Sequence, residues 1–371
     1  MSPSPSSIES TRKPSPPAGY ALFALGFRPF FLAAGIYAVL LMGLWLAVLQ
    51  GGLDLGAWRP SVWHGHEMLF GFAVAVIAGF LLTAAQNWTG LPMPSGRPLA
   101  ALFLLWLAGR AGFLVPGLPP GLVAAIDLSF LPILALALAL PIHKAKQLHN
   151  YPFPVLLLAL TAANALVHLE ALGWTRASAS LGLHLGTYAV VMIMIVMGGR
   201  VIPSFTDNKL GTRARRWNLI ERLLPTASLG VLLAALLAPV SLVTALLAAV
   251  VAAAHAVRLA GWYTRKFWAV PLLWILHLGY AWITLGLRHR RADPGHDGAG
   301  VARPHRPPAG ACPGDDAGFR GGQSRGADPG AAAAAVSGSL CARNGRCRAG
   351  VGGGIQRIRG GVRPHAAAPA G

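Results

Sequence analysis

Nine apolar stretches dictate what this chain can fold into. They run at residues 29–49, 64–85, 99–114, 122–140, 152–172, 181–198, 223–238, 240–260 and 270–287. A helix rises about 1.5 Å per residue and a bilayer's hydrocarbon core is roughly 30 Å thick, so about twenty apolar residues cross it. Most of the stretches reach or approach that length; the third and seventh are short. The architecture this predicts is an all-α polytopic transmembrane helix bundle of about nine spans, followed by a disordered tail. Composition agrees: 54% of residues are hydrophobic and 12% charged, against about 25% charged in a soluble domain.

Turn chemistry separates the stretches: Gly51-Gly52, Leu91-Pro92-Met93-Pro94, Pro119-Pro120-Gly121 and Tyr151-Pro152. The seventh and eighth are parted only by Pro239, which predicts a tight hairpin or one broken helix. Three regions follow: an N-terminal Ser/Pro-rich arm at 1–18, a helical body at 19–287, and a tail at 288–371. The formal net charge of +19 would ordinarily point to nucleic acid. Here the excess lies in the tail and in loops between apolar runs, so the partner expected is the lipid bilayer, with no nucleic acid and no protein partner implied.

Lys and Arg set the expected orientation. Arg12, Lys13 and Arg28 precede the body. The even-numbered loops carry Arg97, Lys144, Lys146, Lys209, Arg213, Arg215, Arg216, Arg222, Arg265 and Lys266, and the odd-numbered ones little beyond Arg59, Arg110 and Arg176. The positive-inside rule places the N-terminus and the even loops in the cytoplasm of a bacterial inner membrane. His64 and His66, then His168, then His184 fall at the outer ends of three different stretches. Asp127 falls in the outer half of a fourth.

The tail changes character. It has no Trp, Met or Lys and one Leu, whereas the body holds all eleven Trp. Nothing in its Gly, Ala, Arg and Pro can build a packed core. It reads as the product of a shifted frame in a GC-rich gene. The codons for Arg303-Pro304-His305-Arg306-Pro307, read one base later, can encode Gly-His-Thr-Gly-Arg. All three cysteines, Cys312, Cys341 and Cys347, lie there, so thiolate ligands and disulfides play no part in the body.

The chemistry centres on residues 63–71, reading WHGHEMLFG. Titratable groups at a membrane boundary are costly unless paired, solvated or bound. Residues three apart on a helix share a face and residues two apart are nearly opposed. That spacing predicts His64 acting with Glu67 or Met68, while His66 points elsewhere unless the first turn is unwound. Imidazole suits haem iron, copper or zinc. His168 lies one turn after Asn164, which is placed to hold its tautomer, and His184 one turn before Tyr188. His277, near Tyr280 in WILHLGYAW, sits deeper and is a candidate axial ligand. His255 is expected to face cytoplasmic headgroups. The metal-ligand candidates are therefore His64, His66, His168, His184 and His277, supported by Glu67, Asn164, Tyr188 and Tyr280. Arg28 in GFRPFF and Arg200 in GGRVIPSFTDN either snorkel to headgroups or clamp an anionic cofactor group.

The ordered motifs GFRPFF, WHGHEMLFG, GFLLTAAQNWTG, LWLAGR, Asn164 with His168, GGRVIPSFTDN and LLWILHLGYAW resemble the NnrS family of bacterial membrane proteins. The resemblance covers residues 22–287. It implies haem and copper as cofactors, nitric oxide as the small-molecule ligand, and a role in denitrification and protection from nitrosative stress, with no defined turnover. Family members continue with further apolar helices where this chain has its tail. A proton-coupled transporter, with Glu67, Asp127 and the histidines relaying protons, is the alternative, and a truncated non-functional remnant is a third.

Overall fold

The computed structural model describes residues 21–288 apart from Asp54, Ala57, Pro239 and Val240. The arm expected at 1–18 and the tail expected at 288–371, save Arg288, lie outside the described residues. So does the frame-shift reading attached to that tail. Nine helices follow one another: α1 (Phe27–Leu49), α2 (Pro60–Thr89), α3 (Arg97–Gly112), α4 (Pro120–Lys144), α5 (Pro152–Ala171), α6 (Ser178–Leu210), α7 (Asn218–Leu237), α8 (Leu242–Trp262) and α9 (Pro271–Arg288). No strand occurs among the described residues.

The expected count of about nine spans is slightly high. Seven helices are long and apolar enough to cross a bilayer. The other two are α3, with 16 residues and an arginine near each end, and the short apolar helix α9. At about 1.5 Å per residue, 16 residues reach only about 24 Å. The seventh and eighth stretches are two separate helices.

Helix boundaries follow from local chemistry. Proline stands in the first turn of α2, α3, α4 and α5, where a missing N–H costs nothing. Gly90 and Gly211 adopt the left-handed conformation that closes α2 and α6, their N–H groups returning to the carbonyls of Gln86 and Asp207. Apolar side chains on one face of α1, such as Leu32, Ile36, Val39 and Leu40, are exposed, as a lipid-facing surface requires.

Association inside a bilayer relies on close packing rather than on expelling water, and small residues let backbones approach. Gly182 of α6 illustrates this, since a Cβ there would lie 2.8 Å from the Val167 side chain of α5 and against the Ala163 carbonyl. Gly109 of α3 similarly lies on α4, with Asp127 Cα 3.3 Å from where its Cβ would be. The long helix α6 packs against α2, α5, α7 and α9. One apolar cluster fills the first half around Phe30, Phe70, Trp106 and Phe130. A second joins α6 to α7 and α8 through Met192, Ile195, Leu224 and Val251.

A candidate metal centre near one end of the bundle

The helices carrying the loops after α1, α3 and α5 bring a set of polar side chains together at that end. The path starts in α2. Its backbone widens from an α-helix to a π-helix at Glu67–Ala73, a change that frees carbonyls and re-aims side chains. The carbonyl of Gly71 accepts the Trp106 indole N–H at 3.1 Å. Gly71 also leaves room for the cluster, because a Cβ there would lie 2.9 Å from Glu67 Oε2 and 3.2 Å from Arg110 Nη1.

Into that space Arg110 of α3 sends one nitrogen, Nη1, to both oxygens of Glu67 at 2.7 Å. Its Nη2 meets Asp127 Oδ1 of α4. Tyr37 of α1 donates its hydroxyl to Glu67 Oε2. His66 Nδ1 lies 2.9 Å from Glu67 Oε1. On its other side His66 Nε2 lies 2.8 Å from Asn164 Oδ1 and 3.2 Å from Asp127 Oδ2. Asn164 Nδ2 donates to Asp127 Oδ2 at 2.8 Å, and His168 Nε2 approaches the same oxygen at 2.8 Å. Five helices thus contribute to one network, and each of the six polar residues from His66 to His168 is buried.

Donor and acceptor inventories fix what this network needs. A carboxylate oxygen only accepts, so Asn164 must turn its NH₂ to Asp127 and its oxygen to His66. Both ring nitrogens of His66 then face oxygen acceptors alone. A neutral imidazole would hold one lone pair against an oxygen. The place beside Nε2 therefore calls for one positive charge, either a proton on the ring or a metal ion. Two carboxylates facing one guanidinium leave the same shortfall of one positive charge. One nitrogen of His66, one of His168 and a carboxylate oxygen of Asp127 lie within 4.8 Å of one another. Two imidazoles and a carboxylate form a donor set used by transition metals. Glu67 and Asn164 supply the outer hydrogen bonds that orient such ligands.

An aromatic collar encloses the group. Trp58 meets the rings of His66 and His168 edge-on at 5.2 and 5.4 Å, and Phe113 lies 5.2 Å from Trp58. Arg59, beside Trp58, pairs with Glu170 at 2.6 Å. A cleft of about 400 Å³, lined by Leu53, Trp58, Trp63, Phe113, Leu118 and His168 among others, opens beside the collar.

The structure redistributes the residues that sequence spacing had grouped. His66, not His64, joins Glu67, because the α-to-π change at Glu67 turns the neighbouring side chains together. His64 leaves the cluster and stacks on Trp45 at 4.4 Å. Asn164 serves His66 rather than His168, whose partner is Asp127. His184 is exposed and bonded to the Ser180 carbonyl of its own helix at 2.7 Å. It meets Tyr188 in an edge contact of 6.4 Å, and Tyr188 packs with Met192 and Leu224. His277 belongs to another part of the bundle, where Nδ1 bonds the Leu273 carbonyl at 2.8 Å and the ring lies 4.9 Å from Phe267. Its Nε2 is buried without a partner among the described residues. Arg200 is tied to Asn150 Oδ1 and to the His149 carbonyl at 2.7 Å and lies over Phe153, which makes it a brace for the start of α5. Arg28 lies over the Phe27 ring.

Two members of the cluster are missed by the sequence reading. Arg110 counts there as a loop cation; its signal is a position still within the helical run LWLAGR. Tyr37 carries no signal at all. Asp127 is expected there as a proton relay and not as a ligand.

Tyr280 also has other partners than His277. Its hydroxyl accepts from Arg258 Nη1 at 2.8 Å and lies 2.7 Å from His255 Nδ1, and His255 Nε2 lies 2.9 Å from Ser228 Oγ. Arg258 forks onto Glu221 at 3.0 Å. His255, expected at the headgroups, is instead fully buried. Arginine only donates, so Tyr280 gives its proton to His255 Nδ1, and His255 Nε2–H is left to bond Ser228. Every one of these groups is satisfied, which makes this second cluster a fastening between α7, α8 and α9.

A bundle that has, among the described residues, seven helices long and apolar enough to cross a membrane is that of a polytopic membrane protein, and its buried His66, Asp127 and His168 form a group that could hold a metal ion. The family description "NnrS protein" matches residues 21–293, and the chain belongs to the NnrS family. No curated protein and no solved structure matches it.

Proposed function

We propose that this chain is a copper-binding protein of a bacterial inner membrane, with its N-terminus in the cytoplasm, that acts in the response to nitric oxide. The observation that carries the reading is the meeting of His66, Asp127 and His168 from three helices, with donor atoms within 4.8 Å and a charge shortfall of one. A cuprous ion supplies one positive charge and leaves the buried group neutral; a divalent ion leaves an excess charge that low-dielectric surroundings penalise. Copper bound there would supply a site at which nitric oxide can coordinate. The chain's own residues do the rest. Glu67 and Asn164 orient His66, Arg110 holds the two carboxylates apart from solvent, and Trp58 and Phe113 exclude water.

Haem does not fit between His66 and His168. Their ring centroids are 5.2 Å apart and the rings meet edge to face, with no space for a macrocycle. Among the described residues no charged side chain lines the adjacent cleft to pair with propionates. Haem, which the family resemblance implies, has a better candidate in His277. Its Nδ1–H donates to the Leu273 carbonyl, which leaves the lone pair on Nε2, buried and without a partner among the described residues; this is the tautomer that would let it hold a haem iron.

The test is metal analysis of the purified membrane protein loaded under reducing conditions. One copper per chain is expected, with loss of copper in Asp127→Ala and in His168→Ala. Cells producing the same variants should lose protection against a nitric oxide donor. Copper retained at one per chain in both variants overturns the assignment.

A further inference from the structure

The cleft beside the aromatic collar is much larger than a diatomic gas requires. Its volume of about 400 Å³ falls in the range of sites for larger organic ligands, about 300–1,000 Å³. Leu53, Leu114 and Leu118 supply apolar wall, Trp58, Trp63 and Phe113 aromatic wall, and no Asp, Glu, Lys or Arg lines it among the described residues. Among the described residues an anionic or cationic ligand would find no charged partner there.

Two polar atoms of the lining are uncommitted. His168 gives its Nε2–H to the Asp127 carboxylate, which can only accept, so Nδ1 carries the lone pair. No hydrogen bond engages Nδ1 among the described residues. Trp63 is 1% exposed and its indole N–H is buried without a partner among the described residues. A buried donor left unpaired costs free energy that a ligand can recover. Both residues line the cleft, so an acceptor and a donor belong to its otherwise apolar and aromatic described wall. It is lined by residues between α1 and α2, between α3 and α4, and at the end of α5.

We propose that this cleft binds a lipid-soluble hydroquinone, a quinol, with a ring hydroxyl donating to His168 Nδ1. A hydroxyl both donates and accepts, so it can also take the Trp63 N–H. An uncharged substituted ring matches the apolar and aromatic walls. Quinone-class lipids are reductants of the membrane phase, so the site would place an electron donor beside the buried His/Asp group. The binding claim does not require a metal.

The test uses the full-length chain in lipid nanodiscs, chelator-treated so that His168 Nε2 remains on Asp127. Short-chain ubiquinol, kept reduced, is titrated by calorimetry against empty nanodiscs. Saturable binding of one quinol per chain is expected. The dimethyl ether of the same quinol, which has no hydroxyl to donate, should bind about ten-fold more weakly. His168→Phe should bind quinol and ether within two-fold of each other, and Leu118→Trp, which fills the cleft from its wall, should bind neither. Uptake no greater than by empty nanodiscs overturns the proposal. So does equal wild-type affinity for quinol and ether, a comparison that stands even if His168→Phe does not fold. Copper content is read separately on loaded protein, so failure of either reading is distinguishable from failure of the other.

Discussion

Replacing Arg110 by methionine tests the charge arrangement on which the centre rests. The substitution keeps a long side chain and deletes one cation. Glu67 loses two hydrogen bonds of 2.7 Å and Asp127 loses its guanidinium partner, while Tyr37 and His66 stay on Glu67. Removing one partner of a buried ion pair costs about 3–5 kcal/mol, because the remaining charge is left uncompensated. The same deletion makes the site more attractive to cations. Two unit charges about 5 Å apart at an effective dielectric of about 20 interact by about 3 kcal/mol, or roughly a hundred-fold in affinity per unit of metal charge. Arg110→Met should therefore be less stable in mixed-micelle unfolding followed by helicity, yet bind divalent ions at least about a hundred-fold more tightly in competition with a chromophoric chelator. A stability loss below about 1 kcal/mol, the value of a solvated pair, would refute the buried network. An unchanged divalent affinity would refute the argument that its charge selects the ion.

Three more outcomes follow from the geometry. His66→Ala should abolish metal binding in elemental analysis, whereas His64→Ala and His184→Ala should leave it at the wild-type level, since their rings face Trp45 and the α6 backbone. Gly182→Val forces a side chain against Val167 and the Ala163 carbonyl; over-packing of this kind costs about 1–3 kcal/mol, and a lowered thermal midpoint would report it. Arg200→Ala should lower stability by about 1–3 kcal/mol through the unpaired Asn150 and His149 carbonyl groups, with metal content unchanged. Loss of bound cofactor in that variant would instead restore the anion-clamp role.

Much of the fold was legible because lipid imposes a single rule: backbone polar groups must be satisfied within each segment. Apolar run length then gives the helices, and glycine and proline give their ends. The overcount arose at the short third stretch and at the last one, where run length alone does not say whether a helix crosses or merely packs. The site was legible only as residue types. Histidines in an apolar chain announced chemistry, and the placement of His66, His168 and Asp127 near the same ends of their helices followed from alternating direction.

The sequence by itself determined that this is a bundle of membrane helices and which of its ends carries the polar chemistry, since both follow from run length and chain direction. Tertiary structure alone decided which histidines meet. A residue's azimuth on a helix depends on local winding, and one π-turn at Glu67 exchanges the roles of His64 and His66. Arg110 could be recognised as the hub only once α2, α3 and α4 were packed together, because a buried cation is defined by partners far away in the chain.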